Sequence, residues 1–107
     1  MIYELRIYEA APGKLPELNA RFANHTLGFF AKYGIKVVGF WTEEVGTNNN
    51  LVYILGFDSW ADREKKWNTF QNDPEWLQVR AVTEKNGALV LKVHNKILRP
   101  THYSPMQ

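Results

Sequence analysis

The chain has 107 residues, room for one domain with a single hydrophobic core. It contains no cysteine, which excludes disulfides, thiolate metal sites and thiol nucleophiles together and fits a cytoplasmic protein. Thirteen basic and 11 acidic residues are mixed along the chain, so the formal charge of +2 is not the electrostatic footprint of a nucleic-acid binder, and no apolar run is long enough for a membrane span.

The chain opens at once on an alternating strand, Ile2–Glu9, with no basic leader before it. Tyr3, Leu5 and Ile7 share one face, and Glu4, Arg6 and Tyr8 the other. Pro12-Gly13 breaks the strand. A helix is predicted from Leu15 to Tyr33, with Pro16 in its first turn. Its apolar stripe is Leu18, Phe22, Phe29 and Tyr33, with His25 filling the gap at helical spacing. Gly34 suits the position just past the helix end, and Ile35 the hydrophobic contact that follows it.

The stretch Ile35–Asp58 organises the rest. Two runs rich in β-branched and aromatic residues, Val37–Val45 and Leu51–Asp58, flank Gly-Thr-Asn-Asn-Asn and read as a hairpin. Ser59 is a candidate N-cap for a second helix, with Asp62 completing a weak capping box. The inward face of that helix is expected to carry Trp60, Arg63, Trp67 and Phe70. Asp73-Pro74 starts a short third helix, whose apolar side is Trp76, Leu77 and Ala81. After Asn86-Gly87, the last strand is predicted over Ala88–Leu98, followed by an aperiodic tail.

The order β-α-β-β-α-β predicts an α+β, ferredoxin-like fold: a four-stranded antiparallel sheet with both main helices on one face. The other face should then alternate with polar residues, yet Leu51–Phe57 is apolar on both sides. A large exposed apolar face is unusual for a monomer, so a second copy is expected to cover it.

Several motifs in order resemble the NIPSNAP family. They are Tyr3-Glu4-Leu5-Arg6 with Pro12-Gly13-Lys14-Leu15, Val38-Gly39-Phe40-Trp41, Asn50-Leu51-Val52-Tyr53, and Arg63-Glu64 followed by Trp67, Phe70 and Asp73-Pro74-Glu75-Trp76. Pro100-Thr101 and Tyr103-Ser104-Pro105 close the set. The resemblance spans nearly the whole chain and implies a dimeric α+β barrel, in which two ferredoxin-like units pair sheet to sheet. Without a leader, the chain looks like a compact bacterial-type member. Related barrels include small monooxygenases, isomerases and haem-degrading enzymes, but their site residues have no counterparts here, so the resemblance implies no particular chemistry.

His25 is the sharpest chemical candidate, because a histidine on the stripe facing the sheet can act as acid or base near neutral pH. The alternative is a core histidine bonded to a neighbour, the more usual state of a buried polar group. Arg63 can hold a carboxylate or phosphate, or else stack on an indole or pair with a strand acid such as Glu43. Trp41, Tyr53, Trp67 and Phe70 wall a pocket between helices and sheet if one exists, and are plain core if not. His94 and His102 lack metal-ligand spacing with His25, and no glycine cluster forms a phosphate loop. Three readings stay open, none needing a metal or cofactor. One is a protein binding a small apolar or aromatic molecule; the next is a cofactor-independent enzyme using His25 and Arg63; the last is a protein-interaction scaffold.

Overall fold

Period-two alternation and helical stripes become strands and helices in the expected order in a computed structural model that describes residues Met1–Gln107. The elements are β1 (Ile2–Ala10), α1 (Leu15–Arg21), a π-helical turn (Phe22–Thr26), α2 (Leu27–Lys32), β2 (Lys36–Thr42), β3 (Asn50–Phe57), α3 (Trp60–Gln71), α4 (Pro74–Thr83) and β4 (Val90–Leu98). The strands form one sheet in the order β2-β3-β1-β4, with every neighbouring pair antiparallel. This is the ferredoxin-like α+β fold, with the helices on one face. No helix is long and apolar enough to cross a membrane.

The predicted end signals act as their chemistry requires. Gly34 adopts φ +68°, where a side chain would be strained, and lets the Ile35 N–H bond back to the Phe30 carbonyl at 2.8 Å. Ser59 Oγ accepts from the Asp62 N–H, capping α3. The Asp62 carboxylate reaches back one residue further than a capping box, to the Asp58 N–H. Asp73 accepts from the Glu75 and Trp76 N–H groups and so caps α4. Its carboxylate also takes the Tyr33 hydroxyl and Lys32, and with those partners sits well below the usual carboxylate range.

The core lies between β1–β3 and the helices. Leu18, Phe22 and Phe30 meet Leu51, Tyr53, Leu55 and Phe57 of β3, with Phe70 and Trp76 closing the far side. Tyr53 is completely buried and stacks on Phe40 at 4.8 Å between centroids.

Two one-residue irregularities change which side chains face inward. In the π turn the Leu27 N–H reaches back five residues, to the Phe22 carbonyl. The extra residue rotates the stripe, so Thr26 and Phe30 occupy inward positions and His25 is turned out to solvent. In β2 a bulge between Val37 and Gly39 reverses the phase of the strand. Phe40 therefore pairs beside Tyr53 on the helix side, while Gly39 and Trp41 lie on the open face opposite Ile54 and Val52. Trp60, expected inward, is 56% exposed.

Candidate functional site

The site begins with three alternating residues of β1. Glu4, Arg6 and Tyr8 share one face by strand geometry, and the pairing of β1 with β3 turns that face to the helices. Glu4 has no solvent exposure. Its Oε1 accepts from Arg63 Nε at 2.7 Å. Its Oε2 accepts from Arg6 Nη1 at 2.6 Å, Asn95 Nδ2 at 3.0 Å and Arg63 Nη2 at 3.1 Å. Burial alone would raise the Glu4 carboxyl, but hydrogen bonds from Arg63 and Asn95 and the charge of Arg6 prevail and hold it below its ordinary value. One carboxylate thus serves two guanidinium groups, and the cluster keeps a net positive charge.

Arg6 extends the network. Its Nε donates to the Tyr53 hydroxyl at 2.9 Å and its Nη2 to the Tyr8 hydroxyl at 3.2 Å, and the guanidinium lies 4.4 Å from the Trp67 ring centroid. Burial works against the Arg6 charge, but its interactions with Tyr53, Tyr8 and Glu4 outweigh burial and raise its pKa above the ordinary value. Burial pushes the Tyr53 phenol well above its usual value. Tyr53 donates in turn to the Tyr8 oxygen at 2.8 Å. Tyr8 therefore accepts two bonds from the protein, and its own hydrogen is left to donate elsewhere.

Beside this network lies an open cleft of about 430 Å³ between β1 and β4 on one side and α3 and α4 on the other. It exists because β4 is an edge strand that the helices cover poorly: Leu91 and Val93 remain 57% and 47% exposed. Arg6, Tyr8 and Trp67 line it, with Trp76 from α4 and Arg21 from the end of α1. The Arg21 guanidinium carbon is 5.5 Å from the Trp76 ring centroid. Both residues are buried, and both Arg21 Nε and Trp76 Nε1 lack an acceptor. A buried donor left unpaired costs about 1–3 kcal/mol.

The NIPSNAP family model matches residues 3–105. The chain belongs to the NIPSNAP family. It is 31% identical over 86 residues to a NipSnap homolog of Dictyostelium discoideum, covering 79% of this chain and 37% of that protein. It is 27% identical over 106 residues to NipSnap of Drosophila melanogaster, covering 99% of this chain and 37% of that one. The chain thus spans little more than a third of the length of these curated relatives. The crystal structure of a NIPSNAP family protein of unknown function from Agrobacterium tumefaciens superposes with a TM-score of 0.87. That protein is 27% identical, with 100% of this chain and 94% of that one covered.

Of the residues singled out from the sequence, the cleft holds Trp67. Tyr53 lies beneath it, joined through Tyr8, and Phe70 is buried in the core at 1% exposure. Arg63 faces inward and pairs with a strand acid as expected, the acid being Glu4 of β1 rather than Glu43. Trp41 is 49% exposed on the opposite face of the sheet, so it walls no pocket under the helices. His25 is exposed and lines open hollows of about 300–350 Å³ on the helix surface, one of them shared with Arg21, and Arg63 lines none of these, so a cavity reached by both His25 and Arg63 is not formed. What sequence reasoning did not foresee is the joining of Glu4, Arg6 and Tyr8 in one network under the helices, and the contact of Arg21 with Trp76. The first set was visible as one polar strand face, which is ordinarily the wet one. Trp76 is marked by its place on the apolar side of its helix, but nothing in the local sequence marks Arg21 as its partner.

Proposed function

We propose that this protein binds a small molecule in the cleft between β4 and helices α3 and α4. The observation that carries this reading is the pairing of indole walls, Trp67 and Trp76, with a fixed polar network that reaches the cleft surface through Arg6 and Tyr8. Small-molecule sites combine a largely apolar concavity with a few convergent polar groups, typically within about 300–1,000 Å³. The reading is tested by titrating the protein with the uncharged fluorophore phenylnaphthylamine while following its four indole N–H signals by NMR. Trp67 and Trp76 should shift and Trp41 and Trp60 should not. No shift, or a shift of Trp41 alone, overturns the reading.

We further propose that a second copy of the chain covers the open sheet face. Strand register gathers Leu5, Ile7, Val52, Ile54 and Trp41 there with no helix above them. An interface built on such a face falls in the obligate class of roughly 2,000 Å² or more.

A further inference from the structure

We propose that the ligand of this cleft is an organic anion, a flat apolar body bearing a carboxylate or sulfonate-like group, with Arg21 and Trp76 receiving its charged oxygens. The inference rests on the small-molecule reading above and adds the chemical class.

Three observations converge on it. Arg21 and Trp76 are 6% and 5% exposed, sit against each other, and each keeps a buried N–H without an acceptor. Nearly all buried donors in folded proteins are paired, so two unpartnered N–H groups on neighbouring residues of the cleft lining point to an acceptor there. The contacts Arg21 does make are long: its Nη1 lies 3.4 Å from both Thr83 Oγ1 and Glu84 Oε1. Tyr8 adds a third donor, because its oxygen already accepts from Tyr53 and Arg6.

Charge points the same way. Arg6, Arg21, Arg80 and Lys92 line the cleft against the single carboxylate of Glu84. Behind the wall, Glu4 is shared between Arg6 and Arg63 and leaves the network cationic. A planar guanidinium presents paired N–H donors that match the two oxygens of a carboxylate or sulfonate. The walls select against a bare inorganic anion: Trp67, Trp76, Leu91 and Val93 offer apolar surface that only an organic body can bury.

The test compares anilinonaphthalene sulfonate with phenylnaphthylamine, which has the same ring system and no charge. Both should bind with displacement of the Trp67 signal, and the sulfonate should bind about tenfold more tightly at low salt. The advantage should shrink as salt is raised. With the sulfonate, the Trp76 indole proton should move further downfield than with the amine, as a new hydrogen bond requires. Arg21→Gln should erase most of the sulfonate's advantage and leave the amine's affinity within about twofold. Equal affinities, or a variant that weakens both probes alike, would overturn the anion assignment while leaving the small-molecule reading intact. Failure of both probes to bind would overturn both. Because Arg21 is buried and its variant can unfold, the salt dependence and the Trp76 displacement on unaltered protein decide the question without it.

Discussion

Replacing Glu4 by Gln preserves shape and removes one charge from the centre of the fold. Glu4 is fully buried and takes four hydrogen bonds from Arg6, Arg63 and Asn95. Removing one partner of a buried ion pair costs about 3–5 kcal/mol, because the other charge stays behind unpaired. Here the lower end applies. The Arg63 side chain is 21% exposed and can recover some water, and Arg6 keeps Tyr53, Tyr8 and the Trp67 face. A loss of about 3 kcal/mol is a large share of the roughly 5–15 kcal/mol that holds a domain folded. It lowers the melting temperature by on the order of 10–25 °C.

Urea unfolding followed by circular dichroism measures the loss, and its pH dependence identifies the cause. The folded carboxyl lies below its ordinary value of 4.5, so the unfolded chain binds more protons between that value and the folded one. The stabilisation is fully present above pH 4.5 and is lost as pH falls through the folded value. The gap between unaltered protein and Glu4→Gln should therefore be widest at neutral pH and narrow in acid. Arg63→Gln should also cost less in the Glu4→Gln background than alone. A loss below about 1 kcal/mol at pH 7, or a gap that does not change in acid, would refute the buried-charge account.

His25→Ala should change stability by no more than about 0.5 kcal/mol and leave probe binding in the cleft unaltered, since the side chain is on the outer helix surface; loss of binding would return His25 to the site. Phe30→Ala removes a ring that is 1% exposed and packs on Phe22, Tyr53 and Phe70, and should cost about 3–5 kcal/mol in urea unfolding. Ile54→Lys places a charge in the middle of the open sheet face, and light scattering should report monomers whose circular dichroism is unchanged. A dimer that survives this change would mean that the contact lies elsewhere.

Element order, helix caps and the ferredoxin-like topology were legible in the sequence, because each has a local cause. Gly34 supplies its left-handed turn, Ser59 and Asp73 offer side-chain oxygens to the first N–H groups of α3 and α4, and alternation over Ile2–Glu9 survives any environment. Tertiary structure decided which faces turn inward. A single added residue at Phe22–Thr26 sends Thr26 in and His25 out, and a single bulge beside Val38 moves Trp41 to the far side of the sheet. Both are shifts of one residue, which local propensity cannot distinguish and only packing against the neighbouring layer selects. The polar face of β1 is the sharper case. Glu4 and Arg6 are buried, with Tyr8 half-buried beside them, because Arg63, Asn95 and Tyr53, distant in sequence, satisfy them, and a buried charge is tolerated only where such partners converge.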